Sequence, residues 1–121
     1  MSAKPRVRIK RAYEAPAKHD GVRVLVDRLW PRGLTKAGAQ IDLWLRDMAP
    51  SHALRRMVHS DPDKWAAFVK AYARELKEEP AKSAFADLRS RAKKQPVTLV
   101  YAARDETRNH AVLLKRWLEK R

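Results

Sequence analysis

Val7-Arg8-Ile9-Lys10-Arg11 alternates apolar and basic residues, a period-two pattern that predicts a half-exposed or edge strand. Residues 14–20, with Pro16 and no periodicity, read as a loop. Val22 to Val26 is nearly continuously apolar and β-branched, as in a central strand buried on both faces, and Pro31 and Gly33 stop it. Thr35 is placed to cap one short helical turn through Gln40. Ile41 to Arg46 alternates as a strand, although Ile41, Trp44, Leu45 and Met48 also satisfy a helical stripe. The shortness of the run and Pro50 favour the strand. Ser51 then caps a short helix through about Val58.

The clearest helix follows. Asp61 is its cap, Pro62 its first position, and Trp65, Phe68, Val69, Tyr72 and Leu76 its apolar stripe. Phe85, Leu88 and Ala92 mark another helix between Pro80 and Pro96, and Val97 to Ala102 forms a second buried strand. A loop, residues 103–108, leads into a last helix whose apolar face is His110, Leu113, Leu114, Trp117 and Leu118. Strands alternating with helices predict an α/β domain, a small and mostly parallel sheet of about four strands packed with about five helices. Residues 1–6 read as a polar lead-in and 7–121 as that single domain.

Composition narrows the function classes. The chain has 121 residues, 45% of them hydrophobic, enough for one core. It shows no apolar run of spanning length and no signal-peptide pattern, and a cytoplasmic location is expected. The absence of cysteine removes disulfides, thiolate metal sites and cysteine nucleophiles together. Lys and Arg number 28 against 14 Asp and Glu, for a net charge of +14. The first 40 residues hold ten of the bases and three of the acids, so positive charge is densest there. Such an excess favours anionic partners, although solvated Arg-rich faces account for it equally well.

Two buried strands end in residues for which a core has no use. One runs into Asp27-Arg28-Leu29-Trp30-Pro31-Arg32-Gly33, the other through Tyr101-Ala102 into Arg104, Asp105, Asn109 and His110. In open α/β sheets ligands bind beyond the carboxyl ends of the strands, so parallel neighbours would bring these loops to one crevice. Arg28, Arg32 and Arg104 supply bidentate donors for a small anion, and Trp30 and Trp44 could wall the site with Gly33, Tyr101 and Asn109. His110, in the first turn of its helix, would move a proton, oriented by Asp27 or Asp105. Each also has a plainer role: Asp27 in a structural ion pair, Trp30 in the core, Asn109 as a helix cap, His110 as a satisfied core histidine. The four histidines lie too far apart for a helical zinc site, and no glycine-rich phosphate loop exists, so neither metal nor cofactor is expected.

Residues 26–36 (Val-Asp-Arg-Leu-Trp-Pro-Arg-Gly-Leu-Thr-Lys), 41–51, Asp61-Pro62-Asp63-Lys64-Trp65 and 97–105, with Asn109-His110-Ala111, resemble the YeaO-like family, a short branch of a bacterial domain family of unknown function. The resemblance runs from about residue 7 and implies a small cytoplasmic α/β domain with no assigned substrate. Longer relatives in the wider family look as if they carry a Cys at the end of the last strand and Cys-His-Arg at the start of the last helix. Tyr101-Ala102 and Asn109-His110-Ala111 stand there instead. Only the histidine is kept, and no thiolate can form. The leading expectation is a pocket for a small anionic substrate of a hydrolase or transferase. The alternatives are nucleic-acid binding through Arg6, Arg8, Lys10 and Arg11, and a non-catalytic protein-interaction domain anchored by Trp and Arg.

Overall fold

The computed structural model describes residues 6–60 and 62–120. Its elements in chain order are β1 (Val7–Arg11), β2 (Val22–Leu25), α1 (Lys36–Ala39), β3 (Leu43–Trp44), α2 (His52–Ser60), α3 (Trp65–Glu75), α4 (Ala81–Lys94), β4 (Val97–Tyr101) and α5 (His110–Glu119). The four strands form one parallel sheet in the order β1-β4-β2-β3. The last strand is thus inserted between the first two, with Val22 and Val7 both opposite Val97. Among the described residues no helix is long and apolar enough to cross a membrane.

The two faces of the sheet are closed differently. Val24, Val26, Val97, Leu99 and Tyr101 belong to the main core with the apolar stripes of α3, α4 and α5. The alternate positions Leu25 and Val100 face the other way, as a pleated strand requires, and meet Trp30, Leu34, Ile41 and Trp44. The nearly continuous apolar character of β2 and β4 follows from this double burial. Among the described residues, the apolar cover of the second face comes from the segments flanking α1 and from Trp44 of β3. Toward the amino ends of the strands, polar residues close it.

The centre of that closure is Asp20. Its carboxylate accepts from Arg23 Nη1 at 2.7 Å and from Lys10 Nζ at 3.1 Å, and it also caps Ala17 N at 3.0 Å. Arg23 continues to Ala39 O through Nε and Nη2, and Thr98 Oγ1 donates to Asp20 O at 2.7 Å. Asp20, Arg23 and Thr98 are all at most 3% exposed. Burial alone would raise the Asp20 pKa, but the hydrogen bonds from Ala17, Lys10 and Arg23 outweigh it and hold the carboxyl below its ordinary value. Gly21 lies in the same turn at φ +65, and a Cβ there would meet Pro96 O at 2.2 Å. The position therefore requires glycine.

Several expected boundaries shift. The strand expected over 41–46 pairs only at Leu43–Trp44 and gives way to a 3-10 turn over Arg46–Met48. Ahead of it, Asp42 Oδ2 rather than a backbone carbonyl accepts from Arg23 N, at 2.8 Å, which ends regular pairing. The loop over 14–20 contains a 3-10 turn at Lys18–Asp20, and Pro62–Lys64 is a 3-10 turn ahead of α3. The expected Asp61 cap lies outside the described residues. Thr35 does cap α1, accepting from Gly38 N at 2.9 Å, and Gln40 ends it in the left-handed region at φ 48. Leu54 N donates to Ser51 Oγ at 3.4 Å at the start of α2.

Candidate functional site

Because β2 and β4 are parallel neighbours, the loops that leave them emerge at one end of the sheet, and polar contacts tie them together. Asp27 Oδ2 accepts from Ala102 N at 3.0 Å. His110, at the first position of α5, reaches back so that Nε2 lies 3.0 Å from Val26 O. Asp27 Oδ1 is 3.1 Å from the same nitrogen, a close contact without the geometry of a hydrogen bond, so this buried oxygen has no donor. A carbonyl only accepts, so Nε2 carries a proton and the lone pair of a neutral ring is on Nδ1. Between the two expected partners of His110, the structure brings it Asp27. Asp105 instead closes its own loop, accepting from Thr107 N, Thr107 Oγ1 and Arg108 N, each at 2.9 Å. The Arg108 and Thr107 hydrogen bonds hold that exposed carboxyl below its usual range.

The arginines do not converge as a trio. Arg28 turns away from Arg32 and Arg104 and donates from Nη2 to Ala49 O at 3.2 Å. There it borders an open cavity of about 200 Å³ shared with Asp47, Tyr72, Glu75, Glu78 and Glu79. One guanidinium facing four carboxylates does not suit an anion. Two of the carboxylates have structural roles: Glu75 accepts from Ser51 N at 3.1 Å, and Glu79 caps Ser83 through N and Oγ. The Tyr72 hydroxyl donates to Met48 O, and burial first, then Glu75 and Asp27, raise its pKa well above the ordinary phenol value.

Arg32 and Arg104 are exposed, and their guanidiniums make no ion pair or hydrogen bond to the described residues. Their loops are linked through a third arginine. Arg11, at the end of β1, donates from Nη2 to Ala102 O at 3.1 Å and from Nε to Ala103 O at 2.9 Å, next to Arg104 in the chain. Its guanidinium carbon lies 5.2 Å from the centre of the Tyr13 ring, and Tyr13 Oη donates to Arg32 O at 3.0 Å. The strand-end loops of β1, β2 and β4 thus share one basic surface around a tyrosine.

The remaining expected site residues have structural roles. Trp30 and Trp44 pack edge to face, 5.5 Å apart, on the second core. Their indoles donate to Leu34 O and Asp27 O, both at 2.7 Å, and Arg46 covers Trp44 at 3.8 Å. Gly33 sits at φ +83 in the turn closed by Leu34 N and Pro31 O at 3.4 Å. Asn109 is the N-cap of α5, accepting from Val112 N at 3.0 Å and donating to Asp105 O at 2.8 Å. Asn109→Ala is therefore expected to cost about 1 kcal/mol in urea denaturation. Tyr101 is buried, and burial, then Glu106, raise its phenol pKa.

Comparison with known proteins identifies the family. The family described as the inactive DUF488-N3 subclade matches residues 6–121. The chain belongs to this family. The uncharacterized protein YeaO of Escherichia coli (strain K12) is 42% identical over 113 residues, 93% of this chain and 96% of its own. Uncharacterized proteins of Mycobacterium tuberculosis (strain ATCC 25618 / H37Rv) and Mycobacterium bovis are 39% identical over 121 residues, the full length of both chains. No solved structure matches the chain. What sequence reasoning missed in this YeaO-like domain is Tyr13 and its contact with Arg11, which was read only as part of a basic edge, and the Asp20–Arg23 pair. An arginine between two valines of a central strand was the available signal for the second. Of the acids around the cavity, Glu75, Glu78 and Glu79 lie within five residues of one another, whereas Asp47 joins them only through the fold.

The alternative of a basic nucleic-acid edge on β1 draws on residues that largely have internal partners. Lys10 is paired with Asp20, Arg11 with the carbonyls of Ala102 and Ala103, and Arg8 Nη1 donates to His19 O at 3.4 Å. Of the four residues, Arg6 alone is without such a side-chain partner among the described residues.

Proposed function

We propose that this domain binds a small anionic ligand without transforming it, on the surface where the strand-end loops of β1, β2 and β4 meet. The observation that carries the reading is the Arg11–Tyr13 bridge, which links the loop of Arg32 to that of Arg104 while both guanidiniums stay in solvent. Two unpaired guanidiniums on tethered loops suit a phosphate or carboxylate group. Catalysis has little to work with. No cysteine is present, and the one histidine at the strand ends has its Nε2 proton on a backbone carbonyl. The description of the family as inactive supports the same conclusion.

The test is calorimetric titration with inorganic phosphate, pyrophosphate and citrate at low salt, using wild type, Arg32→Ala, Arg104→Ala and Lys93→Ala. At least one ligand should bind saturably, and each of the first two substitutions should weaken it about ten-fold, the size of one charge-assisted hydrogen bond. Lys93→Ala, on the exposed face of α4, should leave the affinity unchanged. An affinity that all three substitutions lower equally would mean bulk charge rather than a site, and the proposal would fall.

A further inference from the structure

We propose that the anion this surface takes is the phosphate of a nucleotide, with the base stacked on the open face of Tyr13. The inference rests on the anion reading above and adds the chemical class of the ligand. Tyr13 is 47% exposed, and only it and Leu29 are exposed among the large hydrophobic side chains described. Yet its ring is held at both ends. The hydroxyl is fixed on Arg32 O, and Arg11 covers the ring while bound to two carbonyls of the next loop. Arg11 N is itself anchored by Glu14 Oε2 at 3.0 Å.

An aromatic ring that is ordered without being buried loses little conformational freedom when something stacks on it. Phenol rings flanked by guanidiniums are the platform that takes nucleobases, since every base offers a π-face and the cations receive the backbone. A sugar phosphate or an inorganic anion would use the arginines and leave the ring idle. Pinning the Arg32 loop explains the Tyr13 hydroxyl, but it does not explain an exposed ring.

The experiment compares adenosine 5′-monophosphate, ribose 5-phosphate and a ten-nucleotide deoxyadenylate strand, titrated into wild type, Tyr13→Phe and Tyr13→Leu. Wild type should bind the mononucleotide about ten-fold more tightly than ribose 5-phosphate, the range of one base–aromatic stack. Tyr13→Phe keeps the ring and should keep the gain, although it loses the bond to Arg32 O. Tyr13→Leu should erase the gain and leave ribose 5-phosphate binding in place. Equal affinity of wild type for nucleotide and sugar phosphate, or a gain that survives Tyr13→Leu, overturns the nucleotide proposal alone. No binding of any of the three overturns the anion reading with it. A strand that binds more tightly than the mononucleotide assigns the site to single strands, and a weaker one to free nucleotides, with the base on Tyr13 in both cases.

Discussion

Asp20→Ala is expected to lower the unfolding free energy of this domain by about 3–5 kcal/mol, the usual result of removing one partner from a buried ion pair. Arg23 would keep Ala39 O but lose the carboxylate 2.7 Å from Nη1, leaving a cation 3% exposed with too few acceptors. Lys10 would lose its ionic partner, and Ala17 N its cap. Replacing the pair as a whole is a different experiment. Asp20→Leu with Arg23→Met removes both charges and should recover most of the loss, because apolar replacements of buried pairs are often neutral. Urea denaturation of the single and double variants measures the difference. A single variant within about 1 kcal/mol of wild type would mean that water already screens the pair.

The same pair sets an acid limit on stability. The folded-state pKa of Asp20 is held below its ordinary value, so its contribution is complete above the unfolded value, about 4, and is lost as pH falls through the lower folded one. Wild type should therefore lose stability on acidification below about pH 4 relative to Asp20→Ala, whose corresponding term is absent. The groups that face this carboxylate are Lys10, Arg23 and, at 4.0 Å, His19 Nε2.

Periodicity made the fold legible for a physical reason. β2 and β4 are buried on both faces and so are apolar apart from Arg23 and Thr98, whereas β1, at the edge, alternates. The helices α3 and α5 show their stripes because each covers only the main core. The loop juxtaposition was legible too, since parallel neighbours must release their loops at one end. Side-chain direction was not. Arg28 and Arg32 are four residues apart, yet one turns to Ala49 O and the other to solvent, and no local pattern distinguishes them. Trp30 and Trp44 looked like walls for a ligand because the thin second layer was invisible in sequence. With only a four-residue helix on that face, the two indoles supply much of its apolar cover.

Whether Asp27 and His110 are frame or site can be decided by substitution, and the expected answer is frame. Asp27→Ala leaves Ala102 N without its acceptor and takes the carboxylate from beside His110 Nε2, at a cost of about 1–3 kcal/mol. Asp27→Asn should cost less. Its amide oxygen can take the Ala102 N–H, while its amide group would face the Nε2 proton, which keeps Val26 O as acceptor. In both variants the affinity measured at Arg32 and Arg104 should stay within about two-fold of wild type, since neither arginine touches the pair and the effects of separated, non-contacting sites add. Nitrogen-15 spectra should place the proton of the neutral ring on Nε2, as a carbonyl acceptor demands. A variant that keeps its stability and loses the ligand would instead put this carboxylate in the binding machinery, with His110 beside it. Loss of stability with affinity intact identifies the pair as the brace that holds the end of β2, the end of β4 and the start of α5 in register.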